Sequence, residues 1–341
     1  MSNNGNSGQS NGREVVVVTG ASAGLGRAIV REFARHGARL GLIARDHDRL
    51  EHTVREVVRL GGEAVALPAD VADAEQVNNA AAEVEQRFGP IDIWINNAMT
   101  TIFAPFLEIT AEEYRRATEV TYLGAVWGTM AALKKMKARN HGCIVQVGSA
   151  LAYRSIPLQS PYCGAKHAIA GFTDTIRTEL LHDHSKVRIT MVQMPALNTP
   201  QFDWCRTHLP RHPQPVPPIY NPEIGAAAVY WAAHNRRREV RVGLPTSAAI
   251  IGNKIFPGFL DSYLGRTGYN SQQTNQPVGS ERSDNLVKPV PGEFAAHGSF
   301  DDRAANFSPQ LWMTTHRAAS IAATVAALAV TYLTVRRLAV N

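Results

Sequence analysis

The sequence predicts an α/β fold, a doubly wound parallel sheet with helices on both faces, followed by a C-terminal extension. Three observations carry this prediction. Between Arg13 and about residue 257, short β-branched runs alternate with helical patterns, and strands separated by helices need crossovers, hence parallel pairing. A glycine-rich turn joins the first run to the first helix, the connection such sheets use. The alternation then stops, although the chain has 341 residues.

The elements follow in order. Glu14 to Thr19 is an apolar, β-branched run read as a strand buried on both faces. A helix runs from about Leu25 to His36 and ends at Gly37. Leu40–Ala44 is the second strand; Asp46 caps a helix to Leu60. Ala64–Leu67 is the third strand, with a helix from Ala74 to Phe88. Ile91–Ile95 is the fourth, and a long helix covers roughly Ala111 to Arg139. Cys143–Val147 is the fifth, with a helix from about Ser160 to Leu181, and Val187–Val192 is the sixth. Residues 195–222 hold eight prolines with Phe202 and Trp204 among them, which excludes a central strand or long helix and suggests a lid. A helix from Pro222 and a short run at Val240 and Val242 complete the domain, read as residues 13–257.

Outside this domain, residues 1–12 read as a disordered polar arm with no secretory signal, so the folded domain is expected in the cytoplasm. Residues 258–317 are rich in Gly, Pro, Asn, Gln and Ser and read as an extended connector. Residues 318–335 contain no charge and are bracketed by Arg317 and Arg336-Arg337. As a helix they would span about 27 Å, near the hydrocarbon thickness, so they are expected to contact or cross a membrane. The alternative is an apolar helix docked on protein.

Composition narrows the function. With 45% hydrophobic and 19% charged residues the chain is globular. Three scattered cysteines form neither a disulfide framework nor a zinc pattern, and no metal site is expected. The net charge is +6, of which residues 258–341 supply only +1 (seven Lys/Arg against six Asp/Glu). The excess is therefore no nucleic-acid-binding tail, and no nucleic-acid partner is expected.

The motifs lie where strands meet helices. Thr19-Gly20-Ala21-Ser22-Ala23-Gly24-Leu25-Gly26 follows the first strand; its glycines permit a tight turn, and the helix N-terminus beyond suits a pyrophosphate. Asp70-Val71, Asn96-Asn97-Ala98 and Ser149 follow the third, fourth and fifth strands, and Tyr162 and Lys166 stand four apart on the next helix. That spacing places phenol and ammonium on one face. The ammonium is expected to lower the phenol pKa toward the working range, while Ser149 is placed to stabilise charge on a substrate oxygen.

Together these motifs make residues 13–257 resemble the short-chain dehydrogenase/reductase family, whose members are NAD(P)-binding Rossmann-fold oxidoreductases acting on CH–OH groups. The resemblance implies that Tyr162 is the general acid/base, Ser149 the carbonyl polariser, and Lys166 a ligand of the nicotinamide ribose. Gly20, Ser22, Gly24, Leu25, Gly26, Asp70, Val71, Asn97, Ala98, Pro195 and Thr199 would contact the cofactor. Three positions depart from the pattern: Thr121 replaces the usual catalytic asparagine, Met99 replaces a glycine, and Ala196 replaces the glycine after Pro195. Thr121 is carried over as the fourth catalytic position, with an altered proton relay. Strand two ends at Ala44-Arg45 without an acid, and Arg45 suits a 2′-phosphate, so NADP(H) is favoured. Asp46 keeps NAD(H) open, although helix capping explains it.

Met99, Ser149, Phe202 and Trp204 are the expected substrate contacts, and the apolar lid suggests a lipophilic alcohol or carbonyl. Relatives imply a homo-oligomer. The rival readings are a nucleotide-sugar epimerase or dehydratase on the same scaffold, and a non-catalytic, membrane-tethered nucleotide-binding scaffold or sensor.

Overall fold

Seven strands make the parallel sheet that the alternation predicts. The computed structural model describes residues 12–279 and 282–322. Its strands are β1 (Val15–Thr19), β2 (Arg39–Ala44), β3 (Glu63–Pro68), β4 (Ile93–Asn96), β5 (Cys143–Ser149), β6 (Arg188–Met194) and β7 (Glu239–Arg241). They are ordered β7-β6-β5-β4-β1-β2-β3 with every pairing parallel. The chain steps outward from β1 to β3, then returns to the other side of β1 at β4. That reversal opens a crevice beyond the carboxyl ends of β1 and β4, the usual ligand site of such sheets.

The alternating side chains of β1 explain the two helical layers. Val16 and Val18 enter one core with Ile29 and Phe33 of α1 (Gly24–Arg35), Leu50 of α2 (His47–Arg59) and Val229 of α8 (Pro222–His234). Val15 and Val17 enter the opposite core with Val84 of α3 (Ala74–Phe88), Met136 of α5 (Gly124–Ala138) and Leu180 of α6 (Ser160–His182). Asp46 caps α2 as expected, its Oδ1 accepting the Arg49 N–H at 3.0 Å.

The long helix expected over residues 111–139 is broken: α4 (Ala111–Thr118) passes through a π-turn at Glu119–Leu123 into α5. Gly124 lies at that junction, where a Cβ would come 2.8 Å from Val71 Cγ2. The helix thus approaches the loop after β3 closely, and the wider turn places Thr121 inside.

The larger departure is at the C-terminal side, where residues 258–317 are not an extended connector. Helices α9 (Leu244–Ile255) and α10 (Pro257–Ser271) are followed by a strand, Gln273–Pro277, antiparallel to Arg211–Pro213. Ala304–Ala305 pairs with Ile219–Tyr220, and Ile102–Phe103 with Arg206–Thr207. Leu286, Ala296, Phe300 and Leu311 are buried against the domain, so the packed unit does not end at residue 257. Glycines hid α10 in the sequence; one of them, Gly268, is required because a Cβ there would sit 2.6 Å from Pro157 Cγ.

The described chain ends at residue 322. Most of the expected apolar segment 318–335, like most of the polar arm, therefore lies outside the described residues. Among the described residues no helix is long and apolar enough to cross a membrane.

Candidate active site

The glycine turn is held by contacts that leave no room for side chains. Gly20 has φ +67, and a Cβ there would lie 2.9 Å from Ala98 Cα; at Gly26 it would lie 1.9 Å from the Gly20 carbonyl oxygen. These glycines seat α1 on the sheet and turn its N-terminus toward the crevice. Thr19 Oγ1 accepts the N–H groups of Asn97 (2.9 Å) and Ala98 (3.0 Å), and the Asn97 amide donates to the Thr19 carbonyl (2.9 Å). The ends of β1 and β4 are thereby locked at the switch point.

A cavity runs along this edge. Gly20, Ser22, Gly24, Leu25 and Gly26 form its floor, Arg45, Asp70 and Val71 one end, and Asn97, Ala98 and Thr199 the other. Asp70 pairs with Arg116 and accepts the Ala72 N–H at 3.0 Å. Arg45 is largely enclosed, and burial pushes its pKa down. Among the described residues it has no carboxylate within ion-pair distance; its guanidinium donates instead to the carbonyls of Asn285 (2.6 Å) and Val287 (2.7 Å). Asp46 is committed to the backbone and side chain of Arg49. The glycine-rich floor, the helix N-terminus and a guanidinium that touches no carboxylate among the described residues fit a dinucleotide carrying a 2′-phosphate.

A second, mainly apolar cavity adjoins the first, sharing Leu25, Asn97, Met99, Thr199 and Gln201. Ser149, Tyr162, Lys166 and Pro195 line it. Ser149 ends β5, where its Oγ accepts the Leu151 N–H at 3.1 Å. Lys166 is buried, and its Nζ donates to the Val147 carbonyl at 2.7 Å and lies 5.5 Å from the centre of the Tyr162 ring. A hydrogen bond with Ser149 lowers the Tyr162 pKa, but burial outweighs it and pushes the phenol up to about 12. Burial likewise pushes Lys166 down to about 8.

The expected lowering of the Tyr162 pKa is therefore not what the protein alone produces, because enclosure penalises phenolate and ammonium alike. Thr121 also differs from expectation. It is buried, its Oγ1 donating to the Thr100 carbonyl (2.8 Å) and accepting the Thr100 N–H (3.0 Å). Its hydroxyl is spent on pinning the π-turn to the loop after β4 and does not reach Lys166. Trp204 is a further correction. Phe202 lines the apolar cavity, whereas Trp204 lines the dinucleotide cavity, against Phe294 (ring centroids 4.4 Å) and the Arg49 guanidinium (5.4 Å). Both lie on the single-turn helix α7 (Gln201–Trp204), and side chains two apart on a turn face different ways.

Sequence reasoning missed a buried amide pair in the apolar cavity: Gln159 Nε2 donates to Gln272 Oε1 at 2.7 Å, and Gln272 donates to the Pro157 and Gly268 carbonyls. It missed Asn285, Pro289 and Val290 in the dinucleotide cavity as well. Two lone glutamines and a proline-rich run carry no periodicity that could have marked them.

Residues 14–208 match the family model described as short chain dehydrogenase. The chain belongs to the short-chain dehydrogenase family. It is 32% identical over 266 residues to an uncharacterized oxidoreductase of Bacillus subtilis, YxnA, covering 77% of this chain and 75% of the relative. It is 36% identical over 167 residues to human 17-beta-hydroxysteroid dehydrogenase 13, covering 49% of this chain and 56% of that protein. Among solved structures, an alcohol dehydrogenase from the archaeon Thermococcus sibiricus complexed with 5-hydroxy-NADP superposes with a TM-score of 0.57 at 29% identity. That match covers 67% of this chain and 96% of the other. The family-model match ends at residue 208; beyond it lie most of the lid, helices α9 and α10, and the segment against Arg45.

Proposed function

We propose that this short-chain dehydrogenase uses NADP(H) to interconvert a secondary alcohol and a carbonyl on a lipophilic substrate. The observation that carries the reading is one continuous cleft: a dinucleotide-shaped cavity opens into an apolar pocket, with Ser149, Tyr162 and Lys166 in the pocket wall beside the opening. An Arg45 guanidinium that contacts only backbone carbonyls among the described residues favours the 2′-phosphorylated cofactor.

The bound nicotinamide supplies or accepts the hydride. The chain's own residues handle charge and protons. Ser149 donates a hydrogen bond to the substrate oxygen and stabilises the charge that develops there. In the reducing direction Tyr162 Oη gives its proton to that oxygen as carbon receives the hydride; in the oxidising direction it takes the proton back. A phenol held near 12 is protonated at neutral pH and suits the reducing role. Lys166, fixed by the Val147 carbonyl, places a cation beside the phenolate left behind and is positioned for the ribose hydroxyls.

Met99, Met194, Leu197, Phe202 and Leu264 give the pocket its apolar wall. Gln159, which keeps one amide N–H after donating to Gln272, is well placed to fix a second oxygen of the substrate. Helices α9 and α10, which form one side of the pocket, and Phe256 between them expose Leu244, Phe256, Phe259 and Tyr263, an apolar margin suited to a poorly soluble substrate. The uncharged run 318–335 supports attachment to a membrane. Recovery of the full chain only in the soluble fraction of cells would overturn that attachment.

Fluorescence titration with NADPH and NADH, followed by turnover on carbonyls graded from small and polar to large and apolar, tests the assignment. Tighter binding of NADPH and turnover that rises with apolar size are expected. Turnover confined to small polar carbonyls would overturn the lipophilic class. Binding without turnover of any carbonyl or alcohol would favour the sensor reading.

A further inference from the structure

Residues 282–298 form no helix or strand, yet their backbone is fixed by four arginines of the sheet domain. Arg45 donates to the Asn285 and Val287 carbonyls, Arg116 to Leu286 (3.2 Å), Arg49 to Val290 (2.6 Å) and Arg27 to Phe294 (2.9 Å). The Gly24 N–H, at the first turn of α1, donates to the Ala295 carbonyl at 3.1 Å. The near end is tied to the lid: Arg282 donates to the Phe202 carbonyl (2.8 Å), Arg206 to Asp284 (2.7 Å), and the Asn285 N–H to the Trp204 carbonyl (2.9 Å). Asn285, Pro289 and Val290 line the same cavity as the glycine turn.

The chemistry of these contacts points to a ligand beneath them. Carbonyls satisfy hydrogen bonds but bring no net charge. Glu56 offsets Arg27, Asp46 offsets Arg49, and Asp70 offsets Arg116. Arg45 makes no such ion pair among the described residues, and the charge of Asp70 acts on it without direct contact. A guanidinium has five N–H donors, and the short contacts to Asn285 and Val287 use two of them. The carboxylates of this segment are turned elsewhere, Asp284 to Arg206 and Glu293 to His52; a carboxylate on Arg45 would have competed with a phosphate, and neutral carbonyls do not.

We propose that residues 282–298 are a strap forming the outer wall of the dinucleotide site. Arg45 is the shared point, holding strap carbonyls on one edge and the cofactor 2′-phosphate on the other, so that bound NADP(H) leaves only when the strap lifts. The proposal rests on the NADP(H) reading above and assigns it a retention element.

The test is the rate at which the full chain releases NADPH, followed by nicotinamide fluorescence after mixing with excess NADP, together with hydrogen–deuterium exchange of residues 284–298. Arg282→Ala and Asp284→Asn cut the anchors at the lid without touching the dinucleotide cavity, and melting temperatures check that both variants fold. Release at least about tenfold faster in the variants is expected, the loss of about 1.4 kcal/mol of holding energy, with exchange of the strap slowed by NADPH in the unmodified chain. Unchanged release in both variants, or strap exchange accelerated by NADPH, overturns the strap. If neither NADPH nor NADH binds the unmodified chain, the cofactor reading fails and the strap fails with it; binding with unaltered release sinks the strap alone.

Discussion

The floor and the roof of the cleft are built on different principles. The floor consists of strand ends and a glycine turn, in which β1, β4 and α1 meet so closely that a Cβ at Gly26 would overlap the Gly20 carbonyl. The roof consists of the lid and the strap, joined by two-residue pairings and by arginines reaching backbone carbonyls. Backbone atoms fix the floor; side chains reaching more than two hundred residues along the chain fix much of the roof. Rigid contacts suit positioning, and contacts that can be released one by one suit entry and exit.

This difference can be broken most severely at the chemistry between them. Tyr162→Phe should lower kcat by about a thousandfold, within the range of general acid/base contributions, while NADPH affinity by fluorescence titration changes less than about threefold. A comparable fall in affinity would mean that the phenol holds the cofactor and not the proton. On the floor, Gly26→Ala forces a methyl into the turn; we expect about 3 kcal/mol of destabilisation in chemical denaturation, the upper range for overpacking. An unaffected midpoint would show that the turn is looser than its contacts imply.

At the junction of floor and roof, Arg45→Ala should weaken NADPH about thirtyfold and NADH far less, since a charge-assisted hydrogen bond contributes about 2 kcal/mol. Equal losses for both dinucleotides would remove Arg45 from phosphate recognition and leave it to the strap alone. A smaller effect is expected with pH. Lys166 holds its proton up to about 8 in the folded chain, against an ordinary value of 10.5. The cation beside Tyr162 is therefore lost as pH rises through about 8, and kcat of the reductive reaction should fall there; Lys166→Arg should move that limb to higher pH. For stability the sign is opposite: between about 8 and 10.5 the unfolded chain binds the extra proton, so this residue makes folding more favourable as pH rises. Smallest of all, Thr121→Val should cost about 1 kcal/mol through the lost Thr100 hydrogen bonds and leave kcat within about threefold.

The two regions also differ in how far the sequence discloses them. The floor was legible because its constraints are local: a β-branched run, glycines at fixed offsets, Asn97 at a strand end, and Tyr162 and Lys166 one turn apart. The strap was not, since its carbonyls carry no side-chain signature and its partners Arg27, Arg45, Arg49 and Arg116 look like ordinary surface cations until folded. Helix α10 was obscured by glycines that serve packing, and Trp204 by a helix too short to show a period. The rise of the Tyr162 pKa is a property of enclosure, which neighbours in sequence do not reveal.

The placement of Arg45 restricts how this enzyme's cofactor preference can be altered. In many dinucleotide sites an acid in place of the arginine would be the obvious route toward NADH. Here such a carboxylate would face the carbonyl oxygens of Asn285, Leu286 and Val287, and mutual repulsion would push the segment away. Residue 45 and residues 285–287 therefore form a single unit of inheritance: one cannot drift toward a new cofactor unless the other is rebuilt with it.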